Sequence, residues 1–132
     1  MEKLDLVKNN LNELPNNIEA EQSVIGSILT QNEIFDEITG IISDKNFFDP
    51  LHQKIFGSIQ NLIYKGLLAN PITLKNYFEK NQVLDEVGGV EYLVKLTRFS
   101  SSVKQSVDYA KIIHEKFVRR ELVKISQILN DD

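Results

Sequence analysis

The most strongly patterned stretch of the chain is Leu14-Pro15-Asn16-Asn17-Ile18-Glu19-Ala20-Glu21-Gln22-Ser23-Val24-Ile25-Gly26. A side-chain oxygen of Asn16 or Asn17 can accept a hydrogen bond from an unpaired N–H group of a first helical turn. Asn16 and Glu19 also have the spacing of a capping box. Glu19 and Glu21 place negative charge at the positive end of the helix dipole. The stretch therefore predicts a helix over residues 17–30.

This predicted helix has an apolar face and a face of small side chains. The apolar face repeats at helical spacing and consists of Ile18, Ile25, Ile28 and Leu29. The small face consists of Ala20, Ser23 and Ser27, with Gly26 beside it. A glycine inside a helix costs roughly 1 kcal/mol relative to alanine, so we expect close approach of another helix as compensation. Glu19 and Glu21 do not suit a catalytic pair, because residues two apart on a helix do not face each other.

The composition indicates one compact domain of a cytoplasmic protein. The chain has 132 residues, of which 42% are hydrophobic, and this is enough for a core. It has no cysteine, which excludes disulfides and thiolate metal sites and favours an intracellular setting. No apolar run reaches membrane-spanning length, and residues 1–10 lack the pattern of a signal peptide. The net charge of −4 argues against this domain holding nucleic acid by itself.

Further helix starts follow along the chain. Residues 1–14 are polar with scattered leucines, and we expect a flexible arm. Asn32 is a candidate cap for a second helix. Asp49-Pro50 and Asn70-Pro71 each combine an N-cap residue with a proline at the first helical position, and Gly66 is a candidate stop between them. The apolar faces of these helices consist of Ile34, Phe35, Ile38, Ile41 and Ile42 in the second, Leu51, Ile55, Phe56, Ile59, Leu62 and Ile63 in the third, and Leu74, Tyr77 and Phe78 in the fourth.

The rest of the head adds a loop and one short helix. Residues 83–89 predict a loop with a possible hairpin-like turn, because Gly88-Gly89 allows backbone conformations closed to other residues. Another short helix is predicted around residues 90–97, before the polar break at residues 100–102. No alternating strand pattern occurs. The chain is therefore predicted to be all-α, with about five short helices in a compact head over residues 15–99.

The final segment, residues 103–132, predicts a single long helix. It has neither glycine nor proline, and its pattern stays helical to about Leu129, a length of roughly 40 Å. A compact domain of this size has a diameter near 36 Å, so the helix is expected to project beyond the head. Its distal half carries an apolar stripe at positions i, i+4, i+7 and i+11, formed by Val118, Leu122, Ile125 and Leu129. Either the helix folds back on the head, or the partner of this stripe lies outside this sequence, in another chain or in missing sequence. We favour a partner outside this sequence, because the apolar stripe is unpaired.

The sequence shows no catalytic, cofactor or metal site. The phosphate-binding glycine motifs are absent, and no serine has the context of an activated nucleophile. His52 is expected in the core or at a cap and His114 on the surface, and neither belongs to a metal-ligand cluster. A basic cluster on the long helix is interleaved with acidic residues, which favours a solvated face over a DNA track. It consists of Lys111, Lys116, Arg119, Arg120 and Lys124. Val123 lies off the main stripe near Arg119, and is a candidate exposed anchor for a partner.

Several landmarks, taken in order, resemble the N-terminal domain of the DnaB family of bacterial replicative DNA helicases. They are Pro15 with Ile18-Glu19-Ala20-Glu21-Gln22, Asn46-Phe47-Phe48, His52-x-x-Ile55-Phe56, Pro71-Ile72-Thr73-Leu74, Leu84-Asp85-x-Val87-Gly88-Gly89-Val90-x-Tyr92-Leu93, and Tyr109-Ala110-x-Ile112-Ile113-x-Glu115-Lys116 with Arg120. The family usually has Asp-Phe-Tyr in place of Asn46-Phe47-Phe48. It often has Ala-Ala-Asn near the start of the long helix, where this chain has Ser102-Val103-Lys104-Gln105-Ser106.

The resemblance implies a helical head followed by a helical hairpin, of which residues 103–132 are the first helix. It implies that hairpins pair between subunits, as a dimer or a trimer of dimers, so that six domains form a collar on a helicase ring. It also implies that the collar recruits primase and touches DNA only weakly or indirectly, while ATP and Mg²⁺ bind in a separate C-terminal motor domain. The stripe Val118, Leu122, Ile125 and Leu129 would then serve subunit association, and Tyr92, Val123 and Leu129 would be apolar primase contacts, unless they only pack within the domain or dimer.

Two other classes of function fit the sequence less well. A helix-turn-helix DNA-binding regulator could use residues 71–80 and 90–97 as its paired helices. Its recognition helix would offer only Lys95 and Arg98 beside Glu91, which is weak for contacts to bases and phosphates. A small hydrolase would need a nucleophile and a base close together, which the sequence does not show. The sequence thus favours a non-catalytic assembly and docking domain.

Overall fold

The computed structural model describes residues 14–81 and 88–130, and within them the secondary structure is helical with no strand. Two short 3-10 turns, Asn32–Ile34 and Asp44–Asn46, connect the helices of the first half. The α-helices are α1 (Ile18–Thr30), α2 (Phe35–Thr39), α3 (Pro50–Tyr64), α4 (Pro71–Lys80), α5 (Gly89–Thr97) and α6 (Val103–Asn130). The predicted all-α class, with five short helices and one long one, is confirmed.

Helix α1 is the centre of the head. It packs against α3, α5 and α6, and nine of its residues are buried. The rings of Phe35, Phe47 and Phe56 form an aromatic group beside it, with centroids 5.6 Å apart for Phe35 and Phe56 and 5.0 Å apart for Phe47 and Phe56. These contacts hold the first half of the chain around one core.

The predicted helix starts agree with the structure, with two corrections at the side chains. Asn17 caps α1 by accepting from the N–H of Ala20, whereas the Asn16 amide donates to the carbonyl of Leu14, so the predicted Asn16–Glu19 box does not form. Asn32 does not cap the second helix. Its side-chain amide donates to the carbonyls of Ile28 and Ala69 and accepts from the N–H of Ala69. Asn32 thereby ties α1 to the loop before α4.

Both proline-led starts are found where the sequence predicts them. Asp49 accepts from the N–H of Leu51 at the start of α3, and Asn70 accepts from the N–H groups of Ile72 and Thr73 at the start of α4. Helix α3 ends at Tyr64, and Gly66 lies two residues beyond it, at the predicted stop. The φ of Gly66 is 79°, a left-handed conformation that favours glycine. The second helix is shorter than expected, because α2 is a single short helix of five residues and Ile41 and Ile42 lie beyond it.

The predicted flexible arm and most of the predicted loop before α5 lie outside the described residues. Gly88 and Gly89, at the edge of the described region, have φ values of 84° and 72°. Both values fall in the left-handed region, so the expected need for backbone freedom at this pair is confirmed.

Helix α6 runs for 28 residues, about 42 Å. Its buried residues are Ser106, Ala110, Ile113 and Arg120, and none of its residues beyond Arg120 is buried. The first two-thirds of the helix therefore packs on the head, and the last third extends from it.

Candidate functional site

The distal face of α6 is an apolar surface exposed to solvent. The four stripe residues are exposed by 41% at Val118, 60% at Leu122, 53% at Ile125 and 68% at Leu129. Ile128, which the predicted stripe does not include, is exposed as well. Burying each such side chain is worth roughly 1.5–3 kcal/mol, so leaving the group in water forfeits a large stabilisation. We call Val118, Leu122, Ile125, Ile128 and Leu129 the distal face.

Arg120 anchors α6 to the head at the point where the buried part of the helix ends. It is 5% exposed, its Nη1 donates to the carbonyl of Pro15 at 2.7 Å, and its Nη2 donates to the carbonyl of Asn46 at 2.8 Å. The guanidinium also lies over the rings of Phe48 and Phe117, 5.3 Å and 6.0 Å from their centroids. Burial lowers the pKa of Arg120, and the carboxylates of Glu21 and Glu121 oppose this shift.

The burial of Arg120 corrects the prediction of a solvated basic face. Lys111, Arg119 and Lys124 are exposed as expected, and Arg119 and Lys124 pair with Glu115 and Glu121 along the helix surface. Arg120 instead continues the buried face of α6, which passes through Ala110 and Ile113 at helical spacing. That spacing is the signal that could have identified Arg120 from the sequence.

The start of α6 is fixed by a cluster of serines on α1 and on the turn after α5. The N–H of Ser101 donates to Oγ of Ser27 at 2.8 Å, and Oγ of Ser23 donates to Oγ of Ser101 at 3.1 Å. Oγ of Ser101 also lies 3.2 Å from Oγ of Ser106 on α6. Gly26 lies beside this cluster, and a Cβ there would clash with the carbonyl group of Leu96. The predicted close approach at the small face of α1 is confirmed.

A buried polar network joins α1, α3 and α5. Oε1 of Glu21 lies 2.8 Å from Nδ1 of His52, and Nε2 of His52 lies 2.6 Å from Oη of Tyr92. Glu21 also accepts from the N–H groups of Phe48 and Asp49, and Gln22 donates to Oη of Tyr92. Glu21 and His52 are 1% and 0% exposed. The network therefore connects three helices through groups that have almost no access to water.

The polar atoms of this network pair donors with acceptors. An ionised Glu21 only accepts, so Nδ1 of His52 donates to it. Oη of Tyr92 accepts from Gln22, which leaves its own proton available for the contact with Nε2 of His52. Burial raises the pKa of Tyr92 above its ordinary value. The Gln22 hydrogen bond lowers that pKa, whereas the Asp49 and Glu21 charges raise it further.

The sequence predicts the burial of His52 but not the identity of its partner. The expectation for Glu21 is only a negative charge in the first turn of the helix. Glu21 also lies on the buried face of α1, four residues before Ile25 and seven before Ile28, and this spacing predicts its burial. His114 is exposed, as predicted.

The three predicted partner contacts lie on two different elements. Tyr92 is half-buried on α5, and its hydroxyl is engaged by His52 and Gln22. Val123 is half-buried and Leu129 exposed on the distal part of α6. Helices α5 and α6 do not pack extensively against each other. The structure thus groups Val123 with Leu129 on one helix and places Tyr92 apart from them.

Within the described ranges, 14–81 and 88–130, no group of three or more His, Asp or Glu residues is arranged to hold a metal ion. None of the helices in this part of the chain combines the length and the apolarity that crossing a bilayer requires.

Comparison with known proteins places these features in a family. Residues 13–115 match the family described as the DnaB-like helicase N terminal domain. The replicative DNA helicase DnaB of Rickettsia felis is 40% identical over 119 residues, which cover 89% of this chain and 24% of that protein. The DnaB of Buchnera aphidicola is 37% identical over 123 residues, which cover 93% of this chain and 27% of that protein. The chain thus spans about a quarter of the length of the curated relatives it matches.

The fold agrees with this assignment. The crystal structure of the N-terminal domain of DnaB helicase from Mycobacterium tuberculosis superposes with a TM-score of 0.86 at 26% sequence identity. The match covers 90% of this chain and 86% of that one. The family match over most of the chain, the relatives and the shared architecture lead to one conclusion: the chain belongs to the DnaB-like helicase N-terminal domain family.

Proposed function

We propose that this chain is the non-catalytic N-terminal collar domain of a hexameric replicative DNA helicase, acting in assembly and partner docking in the cytoplasm. The observation that carries the proposal is the distal face of α6, five large apolar side chains exposed on one extended helix. Family membership supports it, and the chain spans only about a quarter of its relatives. ATP and Mg²⁺ would then bind in a separate C-terminal domain, and ATP hydrolysis would occur there.

Assembly would proceed by pairing of apolar helix faces. The spacing i, i+4, i+7 and i+11 of the predicted stripe presents one side of α6 over more than two turns, which suits packing against another helix. Arg120 and the serine cluster fix the direction of α6 relative to the head. A helix held in this way would present the distal face to a second subunit at a defined angle, giving a dimer or, in a hexamer, a trimer of dimers.

Docking of primase is the second part of the proposal. Val123 and Leu129 lie on the extended part of α6, where a partner can reach them. Tyr92 would contribute its ring rather than its hydroxyl, because the hydroxyl is bonded to His52 and Gln22. Tyr92, Val123 and Leu129 would then form contacts on two elements of the collar.

The helix-turn-helix alternative receives no support from the geometry. Residues 81–88 separate α4 from α5, a longer connection than the tight turn of that motif. Leu93 and Leu96 of α5 are buried in the core, and Val94 is its exposed large apolar residue. The net charge of −4 also opposes binding to phosphates by this domain.

A titration with a primase C-terminal domain tests the docking part. We expect the wild-type chain to bind it, and Val123→Asp to weaken binding by about tenfold or more, because a charge is placed in a desolvated contact. Val103→Asp is the matched control, since Val103 is exposed at the opposite end of the same helix. Val123 is chosen over Leu129 because Leu129 belongs to both the subunit-association stripe and the predicted primase contacts. A change at Val123 therefore tests primase docking separately from self-association.

Two results would contradict the docking proposal. One is a wild-type chain that does not bind the primase domain at concentrations where it self-associates. The other is equal binding by Val123→Asp and Val103→Asp with wild-type stability in both variants.

A further inference from the structure

A second apolar surface lies on the head, away from the distal face of α6. It follows the end of α3 and the connection to α4, where Tyr64, Leu67, Leu68 and Ile72 are all more than half exposed. Beside it lies a groove with a volume of about 540 Å³, within the range of about 300–1,000 Å³ that is typical of binding pockets. The apolar lining of this groove consists of Leu62, Leu67, Leu68 and Tyr77. We call this the α3–α4 groove.

Among the residues that the structure describes, the charged side chains that line the α3–α4 groove are both lysines. Lys65 and Lys80 lie on its lining, and the other polar residues of the described lining are Thr73, Asn76 and Asn81, with no carboxylate among them. Both lysines are exposed, and neither belongs to an ion pair with another described residue. The described lining of the groove therefore carries positive charge in a chain whose net charge is −4.

We propose that the α3–α4 groove binds an acidic amphipathic helix of a partner protein. The apolar lining would receive side chains at positions i, i+3, i+4 and i+7, and acidic side chains on either side would pair with Lys65 and Lys80. A helix is favoured over an extended segment, because the described residues include no sheet edge that could satisfy the backbone of a bound strand. The partner helix satisfies its own backbone hydrogen bonds.

The shape and charge of the groove separate this occupant from two others. A bilayer surface is flat and cannot enter a groove between two helices, although lysines beside exposed leucines would also attract anionic lipid. A second copy of the chain could occupy the groove only with an amphipathic helix that has an apolar face and acidic residues on either side. The charged residues of α6 near the distal face include Lys124 paired with Glu121, so this part of the helix is of mixed charge rather than acidic.

The test uses the 132-residue chain, labelled with ¹⁵N, and synthetic helical peptides as probes. One peptide of about 14 residues carries leucines at i, i+3, i+4 and i+7 with glutamates on either side, and its partner peptide has lysines in place of the glutamates. We expect the acidic peptide to shift the amide signals of residues 62–81 and to bind at least about fivefold more tightly than the basic one.

Matched variants test both components of the groove. Lys65→Glu/Lys80→Glu should reverse the preference between the two peptides, whereas Lys95→Glu/Lys111→Glu, with the same change in net charge on exposed lysines elsewhere, should keep it. Leu67→Ser/Leu68→Ser should weaken binding of the acidic peptide by about tenfold. Because all these side chains are exposed, we expect wild-type folding in each variant, checked by its amide spectrum.

Four results would overturn the proposal. The first is an acidic peptide that shifts amides outside residues 62–81 or binds no better than the basic peptide. The second is a Lys65→Glu/Lys80→Glu variant that still binds the acidic peptide more tightly than the basic one. The third is a shift of the groove amides with protein concentration alone, which would assign the groove to a second copy. The fourth is a shift of the same amides by phosphatidylglycerol vesicles, which would assign it to a membrane surface.

Discussion

At the residue scale, the positions that constrain this domain most are small or polar residues inside the head. Gly26 touches the backbone of α5 where any side chain would clash, because a Cβ added there would lie 2.9 Å from the carbonyl carbon of Leu96. Glu21 and His52 lie in the same core and have all their polar atoms bonded. Apolar periodicity predicts the neighbours of these residues but not their partners, because a hydrogen bond between residues 31 positions apart leaves no local pattern.

Gly26→Ala should destabilise the domain by about 3 kcal/mol or more, since the new methyl group meets backbone that cannot rotate away. Gly57→Ala is the matched control within another helix. The nearest atom to a Cβ there is Oδ2 of Asp44 at 3.8 Å, so we expect a gain of about 0.4–1 kcal/mol from the lower entropy of the unfolded chain. Urea unfolding of the two variants measures both changes. Similar free energies of unfolding for the two variants would contradict the close packing at Gly26.

The raised pKa of Tyr92 predicts a pH dependence of stability. Because the folded state holds the Tyr92 proton more tightly than the unfolded state, its contribution is complete below pH about 10 and decreases as the pH rises through the folded-state pKa. Tyr92→Phe lacks this group and leaves Nε2 of His52 without its donor, at a cost of about 1–3 kcal/mol near neutral pH. The difference in free energy of unfolding between wild type and variant should therefore shrink above pH about 10.

The measurement is chemical unfolding of both proteins from about pH 8 to 11, with Tyr109→Phe as the control. The Tyr109 hydroxyl accepts from Gln105 in an exposed pair outside the buried network, so Tyr109→Phe controls for the loss of a tyrosine hydroxyl as such. A constant difference between wild type and Tyr92→Phe across the range would contradict the buried network as described.

At the scale of elements, the ends of the helices were more predictable than the way the helices are joined. Asp49-Pro50, Asn70-Pro71 and Gly66 act through short-range geometry, and all three appear where the sequence predicts them. Asn32 has the same local signal but bonds to Ala69, 37 positions away, because the tertiary contact satisfies more of its polar atoms than a cap would. Arg120 joins α6 to the head by a similar long-range contact.

Arg120→Met should weaken the attachment of α6 by about 2–4 kcal/mol, because the carbonyls of Pro15 and Asn46 lose a charged donor. Arg119→Met is the matched control at the next position. Arg119 is more than half exposed and pairs with Glu115 along the helix surface, so a change within about 0.5 kcal/mol is expected. Urea unfolding combined with hydrogen exchange of the α6 amides measures the effect. Equal protection of α6 in the two variants would contradict the anchoring role of Arg120.

At the scale of the whole molecule, the all-α class, the head and the long helix follow from periodicity, capping and the absence of strand patterns. The stripe of the distal face is also visible in the sequence, because Val118, Leu122, Ile125 and Leu129 recur at helical spacing, and the structure leaves all four exposed. The α3–α4 groove did not follow, since it depends on how α3 and α4 lie against each other. The role in assembly rests on the distal face together with family membership.

Sedimentation velocity over a range of concentrations tests this role most directly. It compares the wild-type chain with Leu122→Glu/Ile125→Glu, which places charge on the distal face, and with Leu68→Glu/Ile72→Glu, which makes the same change at apolar residues of the head that are even more exposed. We predict reversible association of the wild type and of the head variant, and a 15.1 kDa monomer for the distal-face variant. A wild type that stays monomeric throughout, or a distal-face variant that associates as the wild type does, would contradict the account.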